Sequence, residues 1–294
     1  MSRTGREIKQ LAKQAGGSHK TVHDRIRIAD RFCNHLLALN IQIRSVQYLK
    51  AKHIESYIAV RRGQGIALRT LQNEMAALRS VLHQAGREKL VVSERLTNRA
   101  LGLAGSSRAG TKFAIPTERY QQAINQARQL DEGLAIALQL SRLLGLRSQE
   151  AVQCSASLKT WQKQLGQGGE RLSVVFGTKG GRPRETRILD RAAVSNVIAQ
   201  ALVIAKQRNG KLIDRTDLKT AMNYWRSATT RIGLVGSYSP HSLRYAWAQD
   251  AIRFYQEQGF SRKEANALTS MDLGHGDGRG RYVERVYGLQ EDQA

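Results

Sequence analysis

The chain is poor in the residues that staple or punctuate small folds. It has only two cysteines, Cys33 and Cys154, and three prolines among 294 residues. Neither cysteine has a Cys-x-x-Cys partner or histidine-rich company, which excludes a disulfide framework and any readable zinc site. Two structural thiols in a reduced, cytoplasmic setting are expected. No apolar run approaches the ~20 residues of a membrane span, and the opening stretch MSRTGREIKQLAKQAGG lacks the apolar centre of a secretion signal. No repeat is visible, and GTKGGR departs from the spacing of a phosphate-cradling P-loop. Acidic residues are also scarce: 24 Asp and Glu stand against 47 Lys and Arg.

That deficit leaves a formal charge of +23 and a pI near 10.6. Such a field speaks about partners rather than fold. Nucleic acid is the polyanion it favours, over a ribosomal surface or an acidic membrane. The apolar content, 41%, is ordinary, and the length suits two domains, each with its own core.

Residues 1–19 are polar and basic and are expected to be flexible. From Thr21, apolar residues recur at steps of three and four (Val22, Ile26, Ala29, Cys33, Leu36), as on one helix face. Ile54, Tyr57 and Ile58 mark a second helix. Leu71, Met75, Leu78, Leu82 and Ala85 mark a third, with Gly86 as its stop. Residues 20–102 therefore read as an all-helical domain. Of its many arginines, Arg25, Arg27, Arg69 and Arg79 are candidates for phosphate contact. The small, basic run LAGSSRAGTK within 103–112 reads as a linker. In 113–294, helix patterns start after Pro116, span Leu134–Leu144, follow Asp190, centre on Trp225 and follow Pro240. RLSVVFG and RETRILD read as one β-hairpin around TKGGRP. The fold class is mainly α with a small antiparallel sheet: a helical N-terminal domain plus an α+β domain.

Four stretches of the second domain stand out together. LLGLRSQEA puts Arg147 just past a helix-ending glycine, with Glu150 three residues on. TKGGR puts Lys179 on the hairpin turn, with Arg182 beside it as a further candidate for DNA contact. PHSLRYAWA puts His241 and Arg244 one helical turn apart. LGHGDGRGRYVERVYG brings His275, Tyr282 and Tyr287, and reads as too glycine-rich for a good helix, with exposed phenols on flexible backbone. Singly, each has a plain explanation: an arginine at a helix end serves the dipole, and a turn lysine is solvated.

In this order the stretches resemble the tyrosine recombinase family, the phage-integrase class of site-specific recombinases. The Gly-Leu-Arg-x-x-Glu, His-x-Leu-Arg and Leu-Gly-His boxes match, and the resemblance covers most of the chain. It implies a helical core-binding (SAM-like) domain at 20–102 and an α+β catalytic domain at 113–294. It also implies double-stranded DNA as substrate, a homotetramer on two DNA sites, DNA-bending accessory proteins as further partners, and a nucleoid-associated location. The resemblance further implies an active site of Arg147, Lys179, His241, Arg244, His275 and a nucleophilic tyrosine, with Glu150 bracing a cation. No metal or cofactor is implied, because arginine forks supply the positive charge that phosphoryl transfer needs. A 3′-phosphotyrosine would conserve the bond energy without ATP.

The nucleophile is where this sequence departs from the family, whose usual spacing from the Leu-Gly-His histidine falls on Glu284. Tyr287 is expected to be the nucleophile, GDGRGR being a local insertion; Tyr282 is the alternative. The stretch 288–294, GLQEDQA, is short and polar, so a C-terminal exchange between protomers is not expected to run through it. A type IB topoisomerase-like relaxing activity and a non-catalytic DNA-binding accessory protein remain competing readings. RNA binding is weaker, since no RNP-like aromatic motif occurs.

Overall fold

The computed structural model describes residues 3–107 and 109–288. The chain divides into two compact units, Met1–Ser107 and Arg108–Ala294.

The first unit is all helical: α1 (Arg3–Gln14), α2 (His19–Ala38), α3 (Ala51–Gly63), α4 (Leu68–Gln84) and a single turn, α5 (Glu88–Val91). Helix α1 replaces the expected flexible N-terminus. Its charges obscured an apolar stripe of Thr4, Ile8 and Ala12, which is buried among the other helices. Lys9 pairs with Asp30 at 2.6 Å, and Glu7 accepts from Ser45 Oγ at 2.9 Å. Ser18 caps α2 through the Thr21 N–H. The buried stripe of α2 is Arg25, Ile28, Ala29, Phe32, Cys33 and Leu36, rotated from the expected face, so that Leu37 is exposed.

Several arginines of this unit serve the fold. Arg25 is buried and donates to the Ala12 and Gly16 carbonyls, closing the C-terminal end of α1. Arg79 donates to Leu96 O at 2.7 Å and to Asn98 Oδ1 at 3.0 Å. Both therefore depart from the phosphate-contact expectation: a guanidinium is the side chain with enough donors to satisfy orphan carbonyls. Arg27 and Arg69 are exposed. Glu74, wholly buried on α4, accepts from Arg31 (3.0 Å), Arg61 (2.8 Å) and Tyr57 (2.8 Å). Of the stretch expected to be a linker, Leu103 is fully buried in the core of the first unit. In the second unit Gly110 N–H donates to Arg285 O; Arg108 lies outside the described residues.

The second unit contains α6 (Thr117–Leu130), α7 (Glu132–Leu144), α8 (Ser148–Gln153) and α9 (Leu158–Gly166), then β1 (Arg171–Val174) and β2 (Arg184–Arg187). It continues through α10 (Arg191–Gln207), α11 (Leu218–Arg231), α12 (His241–Glu257), α13 (Arg262–Asp272) and α14 (Gly280–Tyr287). The strands pair antiparallel, Leu172 with Thr186 and Val174 with Arg184. The main core gathers residues from α6 to α12, including Trp161 and Trp225. A second cluster joins α12, α13 and α14 through Trp247, Tyr255, Leu273, Val283 and Tyr287. That cluster corrects the expectation of a non-helical tail. Glycines punctuate 274–278, but Val283, Val286 and Tyr287 recur at helical spacing and are buried. Residues 289–294, most of the stretch not expected to carry a C-terminal exchange between protomers, lie outside the described residues.

Cys33 and Cys154 are free and buried. Burial pushes their thiols up to about 11 and about 12, so both are inert at neutral pH. No described helix is long and apolar enough to cross a membrane.

Glu74→Ala strands two guanidiniums and a phenol that now share one buried carboxylate. The expected cost is about 3 kcal/mol, the low end for a broken buried pair because Arg31 reaches water. All three tryptophans, Trp161, Trp225 and Trp247, lie in the second unit. Denaturation should therefore show an earlier circular-dichroism transition with the tryptophan-fluorescence midpoint unmoved.

Candidate active site

Two helix ends build the site. Helix α7 stops at Gly145, which adopts a left-handed conformation (φ 57°); a Cβ there would lie 2.7 Å from the Trp247 ring. Helix α13 stops at Asp272, followed by Leu273 and the left-handed Gly274 (φ 68°). Both ends leave C-terminal carbonyls, carrying partial negative charge, without helical partners. Arginines fill them. Arg147, just ahead of α8, donates Nη2–H to Leu273 O at 3.0 Å. Arg244, in the first turn of α12 and 0% exposed, donates to Gly145 O and, at 2.5 Å, to Leu273 O.

Glu150 sits at the centre of this charge. The spacing of three residues puts it at the third position of α8, where its Oε2 accepts the Arg147 backbone N–H at 2.9 Å. Its Oε1 accepts Arg147 Nη1–H at 2.5 Å. A third guanidinium, Arg184 on the inward face of β2, donates to Glu150 Oε2 at 2.8 Å. Burial raises the Glu150 carboxyl, but Arg184, Arg244 and Arg147 outweigh it and bring it down to about 2. Glu150 thus stays ionised and holds cations rather than moving protons. Arg184 escaped the sequence reading because a charged strand residue is ordinarily assigned to solvent. The period-2 pattern, with Thr186 also inward, was the available signal.

Tyr287, the last residue of α14, is 2% exposed. Its Oη lies 3.1 Å from His275 Nε2 and 3.4 Å from Arg244 Nε. Its ring packs on Tyr245 with centroids 4.5 Å apart. Tyr282 makes none of these polar contacts; its ring lies 4.9 Å from that of His275. Both tyrosines face a cleft of about 1050 Å³ together with Arg147, Lys179, His241 and His275. Lys179 is exposed on the hairpin turn. That turn is anchored at Gly177 (φ 74°), where a Cβ would stand 2.4 Å from Gln149 O. Arg182, and Arg279 from the glycine-rich segment, also face the cleft. All six residues expected to form the site therefore converge, five lining the cleft and Arg244 lying behind it.

Both histidines are held neutral. Burial, then the charges of Arg244 and Arg147, lower His241 to about 4. The same three causes, followed by Lys179 and Arg184, lower His275 to about 3. A neutral His275 has a ring nitrogen free to accept the Tyr287 proton.

A family model described as integrase matches residues 102–250, and one described as phage integrase, N-terminal, matches residues 1–91. The chain belongs to the phage-integrase family of tyrosine recombinases. As a member it is a site-specific DNA recombinase; the topoisomerase-like and accessory readings are not favoured. Solved structures agree in fold. A lambda integrase tetramer bound to a Holliday junction superposes with a TM-score of 0.64 at 17% identity, covering 98% of this chain and 78% of that one. The Tn1549 transposon integrase in complex with transposon right-end DNA gives 0.63 at 11% identity, covering 97% and 96%. The XerH recombinase bound to a palindromic difH substrate gives 0.56 at 14% identity, covering 95% and 90%. A search among curated proteins gives no match.

The neutral histidines give this integrase fold a pH dependence. In the unfolded chain both imidazoles titrate near 6.5, so between there and about 4 the unfolded state binds more protons. Stability rises with pH across that window and is lost as pH falls through it. Glu150, lowered to about 2, adds a loss of the same sign below about 4.5. From pH 7 to pH 5 the tryptophan-monitored unfolding free energy should drop by at most about 2 kcal/mol per ring, and His275→Gln should flatten the slope.

Proposed function

We propose that Tyr287 is the nucleophile of a DNA strand-transfer reaction carried out in this cleft. The observation that carries the reading is the placement of Tyr287 Oη between a neutral His275 and the Arg244 guanidinium. A DNA phosphodiester enters the cleft and Tyr287 Oη attacks its phosphorus. The new O–P bond leaves the 3′ side of the strand as a phosphotyrosine, and the bond to the 5′ oxygen breaks. His275 takes the phenolic proton, and Lys179, exposed on the hairpin turn, gives one to the departing 5′ oxygen.

Arg147 and Arg244 stabilise the charge that develops on the non-bridging oxygens. Each guanidinium carries five N–H donors, and the carbonyls, Glu150 and Tyr287 use only part of them. Those of Arg147 are held at the cleft before substrate arrives, and Arg244, wholly buried behind Tyr287, is uncovered as Tyr287 Oη leaves its Nε for the phosphorus. His241, beside the Tyr245 ring, completes the phosphate's hydrogen-bonding shell. The phosphotyrosyl bond conserves the energy of the phosphodiester, so rejoining by a 5′-hydroxyl needs no ATP. Fixed arginine charge does the work a metal ion would otherwise do.

The first unit serves as the core-binding domain, with Arg27 and Arg69 on its exposed surface, and the second as the catalytic domain. Recombination takes place in a homotetramer on two DNA sites, with DNA-bending proteins as accessory partners, and integrates or excises a mobile element.

Nicked duplex that loses its downstream fragment after cleavage traps the covalent intermediate. Tyr287→Phe should abolish the trapped adduct and Tyr282→Phe should retain it; the opposite pattern moves the nucleophile to Tyr282. Arg147→Lys should lower the cleavage rate constant about 10²–10³-fold, the loss typical of one oxyanion donor. DNA affinity, measured at one fixed salt concentration, should change little.

A further inference from the structure

We propose that Arg184 is a positioning residue of the active site: a clamp, 7% exposed at the edge of the cleft, whose guanidinium is taken up by protein acceptors and ties the Arg147 box to the Leu-Gly-His turn. The inference rests on the reaction assigned above. Arg184 Nη1–H donates to Asp272 O at 2.6 Å, and Nη2–H to Gly145 O at 3.1 Å and Glu150 Oε2 at 2.8 Å. One side chain thus joins the end of α7, the end of α13 and the carboxylate that holds Arg147. It also fills the space beneath the Leu-Gly-His turn, since a Cβ on Gly274 would stand 2.7 Å from Arg184 Cδ. Thr186, the next inward residue of β2, donates to Leu144 O at 3.0 Å and fixes the same helix end.

The geometry makes this more than general support. Gly145 O and Leu273 O also accept from Arg244, and Leu273 O from Arg147. Arg184 therefore holds the same backbone that orients the two phosphate-binding arginines. Its loss leaves Glu150 hydrogen-bonded by Arg147 alone and removes one of the two side chains that bridge the ends of α7 and α13, Arg244 being the other. Displacement by about an ångström is enough to slow a positioned reaction about 100-fold. A lysine reaches one of these partners but cannot span three, because it lacks the planar fork.

The test compares Arg184→Gln and Arg184→Lys with wild type in single-turnover cleavage of saturating nicked DNA, alongside DNA affinity and cooperative unfolding. The rate constant should fall about 100-fold for Gln and roughly tenfold for Lys, with DNA affinity within about threefold of wild type. An unchanged rate constant with a smaller active fraction, or loss of cooperative unfolding in both variants, would return Arg184 to a purely structural role and overturn the proposal. A second readout does not depend on cleavage. The His275 imidazole is surrounded by Arg147, Lys179, Arg184, Arg244, Tyr282 and Tyr287. Arg184→Lys keeps the charge but not the fork, so the His275 and Tyr287 side-chain NMR shifts should still move from wild type in that variant. Shifts in Arg184→Lys identical to those of wild type sink the proposal whether or not DNA is cut. Failure of wild type itself to form an adduct counts against the Tyr287 reading instead.

Discussion

Three guanidiniums crowd around one buried carboxylate, and the second unit is arranged so that they can stay there. Arg147, Arg184 and Arg244 repel one another, and Glu150 alone does not neutralise them. The balance comes from the C-terminal carbonyls of α7 and α13, whose partial charges all point the same way. A cluster of fixed positive charge is thereby held out of bulk water, where it acts at higher strength than it would on the surface. Burial first, and then the same cluster, suppresses protonation of His241 and His275, so a neutral imidazole stays next to Tyr287.

The excess of basic residues divides into two populations that composition cannot separate. Some arginines are structural donors. Arg25 closes α1, Arg79 holds the chain beyond α5, and Arg31 and Arg61 share Glu74. Others, such as Arg27, Arg69 and Arg182, are exposed to solvent. A guanidinium suits both tasks for one reason: five donors in a rigid fork satisfy several carbonyl oxygens as readily as phosphate oxygens. A surface charge count therefore overstates the DNA contacts of a fold that uses arginine as a backbone cap.

Local pattern carried much of the architecture and of the site. Helical spacing marked α3, α4 and α7, and the glycine stops after α4 and α7 reflect left-handed backbone that only glycine adopts cheaply. The Arg147–Glu150 spacing encodes a helix start, so it is legible without a fold. Strong local charge hid other elements. The N-terminal helix α1 looked like a basic tail because its apolar stripe is narrow, and α14 looked irregular because glycines precede it.

By itself the sequence determined the candidate side chains and their order along the chain, because short boxes fix the residue types. Between the tyrosines it favoured Tyr287 over Tyr282, but nothing local says which way each one faces from the short helix they share. That choice belongs to the tertiary structure: packing of Val283, Val286 and Tyr287 against α12 and α13 sets the rotation of α14 and so aims one phenol at His275 and Arg244. The inward turn of Arg184 was decided the same way. A charge enters a core only where carbonyls and a carboxylate from distant parts of the chain already wait for it, and no local pattern records that meeting.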